Sequence, residues 1–353
     1  NLRRLTGAGI RVTVVSADPW HYYSGMGPGL LSGRYRPAEI RFNVRRMTEE
    51  RGGSFVAARV TRLAPDERAV FLADGTRLAY DVLSLNTGSQ VPFAADPRPG
   101  VAVYTVKPIE NLLALKADLE QRLAAGNPRV VVAGGGPAGV EVAANLEALV
   151  RRRRGRARIL LTAGGRLLER FPAKVGRLAR EQLQRRGVEV REGVRVADLR
   201  PGGVRLDDGA DLAADMLVAA VGTRPSPLFA DAGMAVGPDG GLLVDAQLQS
   251  VSHPGVFGGG DCICYRPRPL DRVGVYAVRQ NPVLFHNLEA ALRGGSLKPF
   301  TPQGVYLLIL NMGDGTGIVN RGAWTFSGRL GFWLKDRIDR RFMQAFQVSG
   351  ERR

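Results

Sequence analysis

Cysteine is scarce in this chain of 353 residues: there are two, Cys262 and Cys264. So few exclude a disulfide framework and point to a reducing compartment. Their C-x-C spacing is also not that of a C-x-x-C or C-x-x-x-x-C dithiol, so both read as small buried residues. Histidine is equally thin. His21, His253 and His286 are scattered, no metal-ligand spacing is visible, and no metal site is expected. No run reaches the ~18 to 20 uninterrupted apolar residues of a membrane span, and no signal peptide heads the chain.

Acidic residues are the minority charge. Against 33 Asp and Glu stand 50 Lys and Arg, a formal net charge of +17 that favours anionic partners. Nucleic acid is set aside, because no helix-turn-helix, zinc-finger or RNP-type aromatic motif accompanies the arginines. An acidic protein or an anionic membrane surface remains. The chain reads as cytoplasmic, or as peripheral on the inner membrane surface.

What the sequence does have is glycine, 45 residues of it, and one segment explains part of that number. From Val130 to Leu149 runs VVVAGGGPAGVEVAANLEAL: a β-branched apolar strand, then Gly134, Gly136 and Gly139 in G-x-G-x-x-G spacing, then a helix-forming run. This is the dinucleotide fingerprint in the strand-turn-helix context it requires. The first glycine permits the tight turn, the second lets backbone amides approach a pyrophosphate, and the third allows helix and strand to pack closely. The length allows two domains.

Along the chain, 1–5 reads as a helix end and 10–15 as a strand. The Gly-, Pro- and aromatic-rich SADPWHYYSGMGPGLLSGRY follows without a regular period, as site-lining loops do. Strands are expected at 55–60, 69–72, 82–85, 159–162, 188–190 and 216–221. Helices are expected at 110–125, 175–186 and 275–292, and strand character from 301 to 309. From Gly328 to Phe346 runs a basic amphipathic stretch: Leu330, Leu334 and Ile338 recur every four residues among Trp333, Lys335, Arg337, Arg340 and Arg341. Such a helix suits an interfacial anchor, or packing against the body or a second subunit. Arg151 to Arg154 read as a solvated helix terminus.

Three motifs stand in a fixed order: LSLNTGS (83–89), the fingerprint, and VFGGGDC (256–262), with AVGTRPSP (220–227) between the last two. This order resembles the FAD- and NAD(P)-binding flavoproteins of the pyridine nucleotide-disulfide oxidoreductase superfamily, in particular type II NADH:quinone oxidoreductases. DPWHYYSGMGPGLLSGRY, YAVRQNPVLFHNLEAAL and LGFWLKDRIDRRFMQAF look especially like the oxidoreductase module fused to selenide, water dikinase in some bacteria.

The resemblance implies an α/β fold of two Rossmann-like dinucleotide-binding domains, the FAD domain split by an inserted NAD(P) domain, plus a small C-terminal segment. The FAD domain would comprise 1–105 and 245–300, the NAD(P)H domain 106–244, and an acceptor- or membrane-facing segment 301–353. FAD would meet Thr87, Gly88, Gly260 and Asp261, with Tyr23 and Ser24 covering the isoalloxazine. NAD(P)H would lie on Gly134, Gly136, Gly139 and Gly222. Glu141 would stand near flavin and nicotinamide in a positioning role, or simply be a carboxylate favoured by the helix dipole. Gln280 resembles the glutamine beside the quinone pocket, with a plain surface amide as the alternative.

Two departures matter. The first fingerprint, which should hold the FAD pyrophosphate ahead of the 10–15 strand, is missing, and is expected to lie outside this sequence. At the tip after 159–162, Thr162-Ala163-Gly164-Gly165-Arg166 carries no acid for a ribose 2′-hydroxyl, while Arg166 could meet a 2′-phosphate, which leaves NADH against NADPH open. The activity implied is an FAD-dependent NAD(P)H dehydrogenase passing electrons to a quinone or similar acceptor, with a homodimer left open. The alternatives are a soluble flavin reductase for a protein or selenium-compound acceptor, and a non-catalytic nucleotide-sensing module of a selenide, water dikinase fusion.

Overall fold

Why the fingerprint strand lies deep in the molecule follows from its residues. Val130, Val131, Val132 and Ala133 are apolar on both faces, so the strand belongs in the middle of a covered parallel sheet. The computed structural model describes residues 2–93 and 100–347. In it, Arg129–Ala133 is the central strand of a five-stranded parallel sheet. On one side lie Arg158–Ala163 and then Glu189–Glu192; on the other lie Met216–Ala219 and then Ala102–Thr105.

One face of this sheet is covered by the helices Asn111–Ala125, Pro137–Arg152 and Ala173–Arg185, whose Leu115, Leu146 and Leu183 pack with Val130, Val132 and Val218. The other face is covered by an antiparallel meander, Val196–Arg200, Gly203–Leu206 and Asp211–Ala213, which meets Val131, Leu160 and Leu217. Strand order reverses between Arg129–Ala133 and Met216–Ala219. A crevice at the carboxyl ends of two strands that diverge in this way is where open α/β sheets bind ligands.

A second core forms around Leu63, Leu85, Phe229, Phe257 and Ile263, from segments far apart in sequence. Leu83–Leu85 pairs in parallel with Val256–Gly258, and Leu242–Val244 with Ile263–Tyr265. The first pairing has a direct consequence: it sets the 86–89 turn beside the 259–262 turn. The expected strand at 55–60 divides in two. Ser54–Ala57 pairs in parallel with Thr13–Ser16, whereas Val60–Ala64 turns away to pair antiparallel with Ala69–Leu72.

The last region is a three-stranded antiparallel sheet, Leu308–Asn311, Gly317–Arg321 and Trp324–Gly328, leading into the helix Arg329–Phe346. The strand character expected from 301 is realised only from Leu308. Phe332 and Met343 bury one side of the helix against Met26, Leu30, Tyr35 and Ile40 of the irregular N-terminal segment. No helix among the described residues is long and apolar enough to cross a membrane.

Candidate active site

Gly134 leaves the fingerprint strand with φ +124°, and a Cβ there would collide with the carbonyl of Ala220, just past the neighbouring strand. A Cβ on Gly139 would strike the carbonyl of Gly134. Both glycines are therefore demanded by close packing of strand, turn and helix. Gly136 differs: nothing lies within 4 Å of where its Cβ would be. Open space at the amino end of a 16-residue helix, where backbone amides carry the positive end of the dipole, fits a pyrophosphate. Gly222 (φ +89°), just past the Met216–Ala219 strand, opens on the same crevice mouth with its Cβ position equally clear.

The second constellation surrounds Asp261. Its Oδ2 accepts from the Ser89 hydroxyl at 3.0 Å and from the Lys107 ammonium at 2.6 Å; Lys107 Nζ also donates to Ser89 Oγ at 2.9 Å. The strand pairing of Leu85 with Gly258 brings Ser89 to Asp261 across 172 positions of sequence, and Lys107 joins them from just past the Ala102–Thr105 strand. Gly260, at φ +74°, makes the turn, and its amide donates to Gln280 Oε1 at 2.7 Å. Thr87 and Gly88 line the same edge, and no atom lies within 4 Å of a Cβ built on Gly88. A carboxylate, a hydroxyl and an ammonium around open glycine backbone fit the polyol and phosphate side of a flavin nucleotide.

The third is a buried charge cluster between the fingerprint helix and the C-terminal helix. Glu141 Oε1 accepts the amide of Asn311 at 2.7 Å, and Asn145 Nδ2 donates to the carbonyls of Glu141 and Asn311. Burial raises the Glu141 pKa to about 7, against the opposing pull of Lys335. Lys335 Nζ donates to Asp339 Oδ2 at 2.9 Å and to the carbonyl of Gly25 at 2.7 Å. Burial alone would depress that ammonium, but the Asp339 and Glu141 carboxylates carry it above its ordinary range. The Tyr23 hydroxyl donates to Asp339 Oδ1 at 3.3 Å, and burial with the nearby carboxylates raises its pKa well above the usual phenol. The Tyr23 ring rests on Phe342 at 4.7 Å.

Several expectations are refined here. Gln280 is neither a surface amide nor free to meet a ligand through its oxygen: it is buried and holds the Gly260 amide. Arg166 Nη2 donates to the carbonyls of Glu169 and Phe171, so its guanidinium staples its own loop; the side chain lying against Gly164 is that of Arg195. Ser24 is exposed in the short turn after Tyr23. Lys335, one of the basic residues of the amphipathic stretch, faces inward. Cys262 is buried, donating to the carbonyls of Leu85 and Gly259, and burial pushes its thiol up. Among the described residues no cluster of metal-ligating side chains occurs. Ser89, Lys107, Asp339 and Asn311 were not singled out by sequence. Ser89 closes the LSLNTGS motif and Asp339 lies within the LGFWLKDRIDRRFMQAF stretch, signals that were available; Lys107 and Asn311 sit in segments with no motif.

The family described as pyridine nucleotide-disulphide oxidoreductase matches residues 1–287. Ferroptosis suppressor protein 1 of Taeniopygia guttata is 30% identical over 284 residues, covering 76% of this chain and 72% of that protein. Putidaredoxin reductase CamA of Pseudomonas putida is 32% identical over 227 residues, 60% of this chain and half of that protein. In three dimensions, the structure of NDH2 from Plasmodium falciparum in complex with NADH superposes with a TM-score of 0.80 at 15% identity, over 99% of this chain and 94% of that one.

Proposed function

Because the chain belongs to the pyridine nucleotide-disulphide oxidoreductase family, an FAD- and NAD(P)H-dependent class of enzymes, we propose that it passes electrons to a quinone or similar small acceptor at a membrane surface. On this reading 1–105 with 245–300 hold FAD, 106–244 hold NAD(P)H, and 301–353 shape the acceptor side, with 348–353 outside the described residues. Bound FAD supplies hydride acceptance and onward electron transfer, chemistry that asks little of side chains.

The chain's own contribution is placement and protons. Gly134, Gly136, Gly139 and Gly222 admit the nicotinamide nucleotide, while Thr87, Gly88, Ser89, Lys107 and Asp261 hold the flavin nucleotide. A quinone takes up protons with its electrons. Glu141, with a pKa near the working pH, is suited to hold one beside Lys335 and Tyr23.

The outer face of the C-terminal helix carries the reading. Leu330, Trp333 and Ile338 are 65%, 56% and 44% exposed, and Trp324 of the preceding strand is 82% exposed. Arg321, Arg329, Arg337 and Arg341 rim them, all exposed, and the Arg337 guanidinium lies over the Trp333 ring. An aromatic and aliphatic face edged by cations matches the acyl–headgroup boundary of an anionic bilayer, where a quinone resides. The opposite face of the same helix carries Lys335 and Asp339 of the charge cluster.

The test measures quinone-dependent NADH and NADPH oxidation and flotation with vesicles containing anionic lipid, for the parent protein and a Leu330→Glu/Trp333→Glu variant. Quinone reduction together with vesicle binding that the variant loses supports the reading. Turnover that reaches a small iron–sulfur carrier but never a quinone would replace it. That second outcome is the reading which the exposed Arg151 and Arg154, the net charge of +17 and the likeness to putidaredoxin reductase favour.

A further inference from the structure

Arg272 lies in the loop before the helix Gly274–Arg293 and belongs to no motif, yet its guanidinium joins three separate segments. Its Nε donates to the carbonyl of Asp261 at 3.0 Å, its Nη1 to the carbonyl of Thr223 at 3.3 Å, and its Nη2 to Asp239 Oδ2 at 2.5 Å. Asp239 is itself held, its Oδ1 accepting the Gly241 amide at 3.0 Å.

We infer that Arg272 is a positioning residue that keeps the flavin-side turn at Gly260–Asp261 and the nicotinamide-side turn at Gly222–Thr223 in fixed register. The inference rests on the two nucleotide sites assigned above. Each turn pivots on a glycine of positive φ, +74° at Gly260 and +89° at Gly222, and glycine alone imposes little rigidity on a backbone. The flavin-side turn is gripped at both ends, by Gln280 on the Gly260 amide and by Arg272 on the Asp261 carbonyl. The nicotinamide-side turn is tied to the same guanidinium at Thr223, and again where Gln90 and Arg224 exchange backbone hydrogen bonds at 2.8 Å.

A planar guanidinium can serve three acceptors in fixed directions; a lysine ammonium, a single point donor, cannot span them. Arg272 meets the Asp261 backbone, not its carboxylate, so that carboxylate stays directed to Ser89 and Lys107. Transfer between two ring systems is sensitive to misplacement on the order of 1 Å, which can cost about 100-fold in rate.

The experiment compares Arg272→Lys and Asp239→Asn with the parent in the full chain reconstituted with FAD. Two readouts are taken: the anaerobic rate of flavin reduction at saturating NADH or NADPH, and hydrogen exchange of the cofactor-free protein over 221–225 and 259–263. Expected for Arg272→Lys is a fall in the reduction rate of about tenfold or more, with faster exchange in both turns together and an unshifted melting temperature. Asp239→Asn should move both readouts the same way by less. Parental reduction rates in both variants, or faster exchange in one turn only, would overturn the inference. A parent protein that binds FAD but is never reduced by NADH or NADPH would instead defeat the functional reading, since the paired exchange measurement needs no cofactor.

Discussion

The Glu141 carboxylate and the Asn311 amide, 2.7 Å apart, tie the second turn of the fingerprint helix to the sheet that leads into the C-terminal helix. A nucleotide-binding element and a candidate acceptor-side element thus share one buried titratable group. Its ionisation bears on both stability and proton supply.

The pH dependence has a definite sign. Glu141 titrates near 4.5 when unfolded and at about 7 when folded, so the native state binds the extra proton between those values. The stability this confers is complete below pH 4.5 and is lost as pH rises through about 7. Glu141→Gln should remove a change of about 3 kcal/mol across that window. Urea unfolding of both proteins at pH 5, 6, 7 and 8 measures it; parallel curves would show that Glu141 does not titrate there.

Lys335→Met strands the buried Asp339 carboxylate and frees the carbonyl of Gly25. A loss of about 3–5 kcal/mol is expected from breaking such a pair. Lys335→Met/Asp339→Leu should recover part of that loss, because no lone charge is left behind. A double-mutant cycle by thermal melting checks the coupling, and strictly additive losses would contradict the pairing.

The three fingerprint glycines should part company on replacement by alanine. Gly139→Ala drives a methyl into the carbonyl of Gly134 and should cost about 3 kcal/mol or fail to fold. Gly136→Ala meets open space and should keep the melting temperature, while NAD(P)H affinity falls about tenfold as the methyl blocks the phosphate's approach. Calorimetric titration with NADH and NADPH separates the two outcomes.

Lys107 is the one described cation within ion-pair distance of Asp261. If the pair faces the flavin nucleotide, Lys107→Gln should weaken FAD binding by about 1.5–3 kcal/mol, the ordinary range for a charged hydrogen bond. Fluorescence titration of the cofactor-free variant with FAD tests this. An unchanged dissociation constant would make the lysine merely a neutraliser of Asp261.

Much of the fold is legible in the sequence. Val130 to Leu149 reads as strand, turn and helix because β-branched apolar residues, spaced glycines and helix formers each state their local preference. The strand at 69–72 and the long helices fell close to where periodicity put them. The division of 55–60 into two strands was not legible. Its residues satisfy a strand pattern throughout, and only the two partners, Thr13–Ser16 and Ala69–Leu72, pull the halves into different sheets.

The site divides in the same way. Gly134, Gly136 and Gly139 are marked by their local spacing, whereas Asp261 is marked only through the family resemblance. The roles of Gln280, Lys107 and Arg272 are not: each meets partners that the parallel strand pairings bring from distant segments, and a hydrogen bond across such a gap leaves no trace in neighbouring residues. Lys335 shows the limit most plainly. Its sequence neighbours mark a basic amphipathic helix, but which cation turns inward was decided by the Gly25 carbonyl and Asp339, which compensate a charge that could not otherwise leave water.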